Sequence, residues 1–200
     1  MIVGKGLLVL EGIDQSGKKT QAQYLAARLS ELYSVEEMRF PDYSTPVGKE
    51  IKAFLSGKRA YNLQVRHILY AANRWERKEK IESWLGEGKL VVVDRYSESN
   101  LAYGIASGLE LSWLMNLERD LPKADLVIVL DVSPETSLKR KRRDRDTHER
   151  DLAYLQKVSQ AYLSLSQRLG WTVINGEKEA KEVHSEIWKA VENFLRLRAQ

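Results

Sequence analysis

Short apolar runs recur along the chain, separated by stretches in which apolar residues return every three to four positions. Leu7–Leu10, Leu90–Val93 and the Leu-Val-Ile-Val-Leu run inside Asp125–Val132 are uninterrupted. Runs of that length and composition predict strands buried on both faces. Val35–Phe40 and Trp171–Ile174 read as two further strands, the first weakened by Glu36 and Glu37. Helical spacing follows residue 18, where Ala22, Leu25, Ala26, Leu29 and Leu32 fall on one face, and ends near Tyr33. Further helices are predicted at Val47–Leu55, closed by Gly57, and at Gln64–Leu85, ending before Gly86 and Gly88. Others follow at Leu111–Leu121, stopped by Pro122, and at Pro134–Arg143, Glu149–Leu169 and Ala180–Leu197. Pro41 and the Asp42-Tyr43-Ser44-Thr45-Pro46 cluster mark a loop. Non-alternating strands interleaved with helices predict an α/β fold, a parallel sheet covered on both faces with right-handed crossovers. No repeat or low-complexity linker divides the chain, so residues 1–200 read as one domain.

The first strand runs directly into Gly12-Ile13-Asp14-Gln15-Ser16-Gly17-Lys18, and the first helix follows at once. Two glycines enclosing four residues, with a lysine after the second, form a phosphate-binding loop when strand and helix flank them. Glycines let successive backbone N–H groups point inward, and the helix N-terminus adds partial positive charge. Lys18 supplies an ammonium that can follow the β- and γ-phosphates of a nucleotide. The hydroxyl that usually follows this lysine and binds Mg²⁺ is replaced by Lys19, and the next hydroxyl is Thr20. Either Thr20 substitutes, or a metal relies on carboxylates and water. The competing reading, a glycine turn beside a solvated lysine pair, is disfavoured by the context on both sides.

Ligands of such sheets bind beyond the carboxyl ends of the strands. Asp14, Asp42 and Asp94-Arg95 stand at those ends. Asp94 suits a metal, directly or through water, and Arg95 suits a bidentate phosphate clamp; the alternative is a helix cap with a solvated arginine. Tyr70 and Arg74 are four apart and share a helix face, where ring and guanidinium could take a planar base, although spacing alone favours a core aromatic beside surface charge. The basic run Lys139–Arg143, continuing through Asp144-Arg145-Asp146, fits equally a solvated or nucleic-acid-facing loop and an arginine-rich lid. Tyr103, Trp113 and Trp171 read as core or wall residues, and His67, His148 and His184 have no metal-ligand spacing.

The chain has 200 residues, 43% apolar and 30% charged, as expected of a globular protein, with no transmembrane run and no signal-peptide pattern. Absence of cysteine excludes disulfides and thiolate catalysis, and the expected location is cytoplasmic. A net charge of +4 suits anionic ligands without demanding nucleic acid.

Several segments together resemble the thymidylate kinase family over nearly the whole chain. They are Gly12-Ile13-Asp14 through Gly17-Lys18 with Thr20-Gln21, Phe40-Pro41-Asp42, Ala72-Asn73-Arg74-Trp75-Glu76, Asp94-Arg95-Tyr96 with Ser99, and the segment ending near Glu149. The resemblance implies a three-layer P-loop NTPase fold, a five-stranded parallel sheet flanked by helices on both faces, with a small Arg-rich lid at about 140–150. It implies transfer of the γ-phosphoryl group of ATP to dTMP with Mg²⁺, a homodimer, and no nucleic-acid or membrane partner. ATP contacts would come from Gly12, Ile13, Asp14, Gln15, Ser16, Gly17, Lys18, Lys19 and Thr20, with Arg140 near adenine. The dTMP contacts would come from Asp14, at the sugar 3′-hydroxyl, Phe40, Tyr43, Tyr70 stacked on thymine, Asn73, Arg74 at a base carbonyl, Arg95, Ser99 and Tyr103. A tyrosine at 103 could crowd out a 2′-hydroxyl. Catalytic roles fall to Lys18, Arg95, Asp14 and Arg143, and metal contacts to Thr20 and Asp94. Some family members hold arginine where this chain has Gln15, so a lid arginine among Arg142, Arg143 and Arg145 would face the γ-phosphate. Tyr43 stands where an arginine often grips the dTMP phosphate. Two rival readings fit the same residues: a deoxynucleoside kinase with Asp42 as general base, and a nucleotide-binding regulator that transfers nothing.

Overall fold

The sheet is organised around β1 (Gly6–Glu11), which is buried along its whole length. The computed structural model describes residues 4–140 and 152–198. After β1 come α1 (Lys18–Ser30), β2 (Val35–Arg39), α2 (Pro46–Leu55), α3 (Leu63–Trp75), α4 (Lys78–Gly86), β3 (Leu90–Asp94), α5 (Ser97–Ala106) and α6 (Leu111–Leu117). They are followed by β4 (Leu126–Asp131), α7 (Pro134–Arg140), α8 (Leu152–Leu169), β5 (Thr172–Asn175) and α9 (Ala180–Arg198). The strands pair in the order β2-β3-β1-β4-β5, all parallel, with Leu8 opposite Val92 on one side and Leu10 opposite Ile128 on the other. This is the predicted five-stranded, two-face-covered sheet, and its strand order changes direction at β1, where such folds bind ligands.

Burial on both faces explains the uninterrupted apolar strands. Leu7, Val9, Val91, Val93 and Val129 point to one face and meet Ile81, Leu101, Leu114, Val158, Tyr162 and Leu165 from α4, α5, α6 and α8. Leu8, Leu10, Val92, Ile128 and Leu130 point to the other and meet Leu25, Leu29, Val183, Ile187 and Val191 from α1 and α9. Each such side chain contributes about 1.5–3 kcal/mol on burial. β2 lies at the sheet edge and is only partly buried, which accommodates Glu36 and Glu37; Glu36 pairs with Lys89 at 2.7 Å.

The structure departs from the expected elements at three places. The Gln64–Leu85 stretch is not one helix but α3 and α4, separated at Glu76-Arg77. Tertiary bonds override the helical pattern there: Val47 N–H donates to Glu76 Oε1 at 3.1 Å and Arg77 Nε to Asp42 Oδ2 at 2.7 Å, so the two side chains hold the first turn of α2 and the loop after β2. α5 was not predicted, because Ser97-Glu98-Ser99-Asn100 shows no apolar spacing and no side chain of its own caps it. Its cap is Glu11 of β1, whose Oε1 accepts from Tyr96 N–H at 2.7 Å and Ser99 N–H at 3.1 Å. α6 ends at Leu117 rather than Leu121. The expected lid, with Arg142, Arg143 and Arg145, lies outside the described residues.

Candidate functional site at the carboxyl end of the sheet

The loop Gly12–Gly17 joins β1 to α1. Gly12 has φ 135°, and a Cβ there would sit 2.5 Å from the Leu130 carbonyl oxygen, so only glycine fits. Gly17, at φ 97°, caps α1 without a side-chain acceptor, and the first turn holds no acidic residue. Its N–H groups are therefore available to an anion. Lys18 is 5% exposed and folds back on the loop, donating to Gly12 O at 3.0 Å, Ile13 O at 2.6 Å and Ser16 Oγ at 3.1 Å. Burial lowers its pKa, the Arg95 charge lowers it further, and Asp14, Asp94 and Glu11 oppose them, leaving it at about 7. Ile13 and Ser16 are buried, whereas Lys19 and Thr20 are exposed on the first turn of α1.

Gln15 and Arg95 adopt positive φ, 58° and 68°, a conformation uncommon for residues with a Cβ. That backbone turns Arg95 back across the mouth of the loop. Its Nη1 donates to Gly12 O and Ser99 Oγ, both at 3.1 Å, and its Nη2 to Asp14 Oδ1 at 2.5 Å. Tyr103 O–H donates to Asp14 Oδ2 at 2.9 Å. Burial alone would raise the Asp14 pKa, but the charges of Arg95 and Lys18 and the bonds from Tyr103 and Arg95 prevail, holding it at about 2. Ser137 Oγ pins the Asp14 carbonyl at 2.7 Å from α7.

Beyond Arg95 lies a cavity of about 480 Å³. The predicted residues Asp14, Gln15, Phe40, Tyr43, Tyr70, Asn73, Arg74, Arg95, Ser99 and Tyr103 all line it. Asn73 lines it with its amide engaged: Oδ1 accepts from Asp42 N–H at 2.8 Å and Nδ2 donates to Thr45 Oγ1 at 2.8 Å, which fixes the loop after β2. Asp42 does not line this cavity; it belongs to a neighbouring depression with Arg77, Lys80 and Trp84. Burial raises the Asp42 pKa, but Ser44 and Arg77 outweigh it and lower the pKa overall, the opposite of what a general base needs. Arg140 does not line the cavity; it is exposed and bridges Gln15 O at 3.2 Å and Gly176 O at 2.9 Å.

Arg39, Arg66, Asn100 and Tyr154 also line the cavity, outside the residues nominated from the sequence. Arg39 closes β2, so the strand-end rule that singled out Asp94 would have found it. Asn100 and Tyr154 carried no such signal, since α5 was unrecognised and Tyr154 arrives from α8. Asp94 is 5% exposed, stands 3.4 Å from Arg39, and its charge acts on Lys18. Among the described residues no group of three His, Cys, Asp or Glu could hold a metal ion by itself. With Asp14 tied to Arg95 and Glu11 to the start of α5, Asp94 beside the phosphate loop fits an ion that arrives on nucleotide phosphates rather than a resident protein site.

A family model described as Thymidylate kinase matches residues 10–187. A thymidylate kinase of Arabidopsis thaliana is 38% identical over 186 residues, 92% of this chain and 70% of the relative. One from Danio rerio is 36% identical over 195 residues, 96% of this chain and 92% of the relative. The solved structure of a Candida albicans thymidylate kinase superposes with a TM-score of 0.86 at 30% identity, covering 95% of this chain and 92% of that one. With a family model matched over residues 10–187 and relatives at 36% and 38% identity over more than nine-tenths of its length, the chain belongs to the thymidylate kinase family.

Proposed function

We propose that this enzyme transfers the γ-phosphoryl group of ATP to dTMP, giving dTDP and ADP. The observation that carries this reading is Arg95, whose guanidinium contacts the phosphate-loop carbonyl of Gly12 while lining the cavity sized for a nucleotide. Donor and acceptor phosphates would meet at that one cation. The 5′-phosphate of dTMP is already a nucleophile at neutral pH, so no general base is required, and the task is alignment and charge neutralisation. Lys18 leaves its internal acceptors for the β- and γ-phosphates. Arg95, released in part from Asp14, bridges the incoming and transferring groups, and Asp14 turns to the sugar 3′-hydroxyl. Tyr70 stacks on thymine, Arg74 donates to a base carbonyl, and Tyr103 and Ser99 close the sugar side. Phe40, Tyr43 and Asn73 shape the wall, and Arg140 flanks adenine near Gly176. The sequence alone nominates Arg143, outside the described residues, for the γ-phosphate. Asp94 is the residue suited to hold Mg²⁺ through water, with Thr20 the first hydroxyl along α1; such an ion would neutralise phosphate charge when bound.

Residues 1–200 act as one kinase domain in this proposal, working as a cytoplasmic homodimer without nucleic-acid or membrane partners. Among the described residues no helix is long and apolar enough to cross a membrane. An ADP-release assay over a panel of nucleoside monophosphates and thymidine tests the function: dTMP should be the best acceptor. Turnover of thymidine but not dTMP would favour the deoxynucleoside kinase, and no ADP with any acceptor would leave only a binding role.

Tyr70→Ala is expected to raise the dTMP KM by about tenfold, the worth of roughly 1–2 kcal/mol of stacking, and to spare the ATP KM. Equal changes in both constants would remove Tyr70 as the base platform. In the free protein Lys18 loses its proton near pH 7, so ATP affinity measured by calorimetry should fall as pH rises through that value. Stability moves the other way. The unfolded chain keeps the Lys18 proton up to its ordinary value of 10.5, binds more protons than the native state between about 7 and 10.5, and so loses ground as pH rises through that window. An ATP affinity flat from pH 6 to 9 would contradict the buried, proton-poor Lys18.

A further inference from the structure

Glu118 follows α6 and does not line the cavity, yet its side chain is only 7% exposed. Its carboxylate gathers four donors from two other helices. Arg74 of α3 pairs with it at two points, Nε to Oε2 at 2.9 Å and Nη2 to Oε1. Asn100 Nδ2 donates to Oε1 at 2.7 Å and Ser97 Oγ to Oε2 at 3.1 Å, both from α5. Asn100 Oδ1 in turn sits 2.7 Å from His67 Nδ1. Arg74, Asn100 and His67 each line the cavity and are each 3% exposed.

Two parallel bonds fix the plane of a guanidinium as one bond cannot. With Nε and Nη2 engaged, Nη1 has no hydrogen-bond partner among the described residues. We propose that Glu118 is a positioning residue for base recognition: it locks Arg74 so that a donor-only edge faces the cavity, which selects a pyrimidine presenting a carbonyl there over one presenting an amine. This rests on the assignment of the cavity to dTMP. A carbonyl accepts from Arg74, whereas an exocyclic amine sets donor against donor and leaves both unpaired in a desolvated site, the arrangement that rejects analogues most strongly. Released from Glu118, the guanidinium can turn, and the preference relaxes.

The test compares the full-length protein with its Glu118→Gln, Glu118→Asp, Arg74→Met and Glu118→Gln/Arg74→Met variants. Initial rates are read with dTMP, dCMP and ATP, and dTMP binding by calorimetry. Glu118→Gln should raise the dTMP KM and Kd by about tenfold, hold kcat and the ATP KM within about threefold, and narrow the preference for dTMP over dCMP. Glu118→Asp keeps the charge but cannot reach both nitrogens, and should give a smaller shift of the same kind. If Glu118 works through Arg74, the double variant should bind dTMP about as weakly as Arg74→Met alone. A lowered melting temperature with the dTMP KM and base preference intact would make Glu118 merely structural and overturn the proposal. Should Glu118→Gln not fold, an unchanged KM and preference in Glu118→Asp would do the same. A wild-type protein that does not phosphorylate dTMP would overturn the functional assignment itself, and this inference with it.

Discussion

Arg95→Ala is expected to lower kcat for dTMP phosphorylation by about a hundredfold or more while leaving the fold in place, the scale for losing one preorganised charge contact to a transition state. The reason is its double attachment. One guanidinium touches the phosphate-loop carbonyl of Gly12, the Asp14 carboxylate and Ser99, and it borders the cavity. Alanine removes the bridge between two anionic phosphates that otherwise repel. Stability should drop by less than the ~3–5 kcal/mol of breaking a fully buried pair, because Asp14 keeps its bond from Tyr103 and its side chain is 25% exposed. Steady-state rates at saturating ATP and dTMP, together with thermal unfolding, separate the two effects. Near-normal turnover in a folded variant would take Arg95 out of the mechanism.

Lys18→Met is expected to be more severe, with kcat/KM for ATP reduced by about a thousandfold, since the lysine serves both binding and the developing charge on the transferred group. Methionine preserves volume but leaves Gly12 O, Ile13 O and Ser16 Oγ without the donor that now gathers them. Buried acceptors left bare cost about 1–3 kcal/mol, so a lower melting temperature should accompany the kinetic loss. Lys19 sits next in sequence but is exposed on α1, and it is not expected to rescue the variant. ATP turnover and affinity within about tenfold of wild type would mean that backbone amides alone suffice for the phosphates.

The parts legible in the sequence were those whose physics is local. β1, β3 and β4 are buried on both faces, so their residues are apolar without interruption, and the phosphate loop is a local spacing of glycines and lysine. β2 was legible despite Glu36 and Glu37 because an edge strand tolerates them. What escaped depended on contacts distant in sequence. α5 has no cap of its own and takes one from Glu11, 85 positions away. The break between α3 and α4 is imposed by Val47 and Asp42. The site divides in the same way. Asp14 and Arg95 stand at strand ends where chemistry is expected, whereas Tyr70 and Arg74 follow from the family resemblance, since their spacing alone favours a core aromatic beside surface charge. Asn100, Tyr154 and Glu118 were invisible, because only the packing of α5, α6 and α8 brings them to the cavity or behind it.

The claim on which the rest depends is that the loop after β1 and the cavity beside Tyr70 present two phosphates to one arginine. A crystal structure with dTMP and a non-hydrolysable ATP analogue bound together tests it most directly. The analogue's phosphates are expected against residues 12–20, thymine over Tyr70 with a carbonyl toward Arg74, and the Arg95 guanidinium in contact with both nucleotides. Thymine bound away from Tyr70, or triphosphate bound away from the loop, would contradict it.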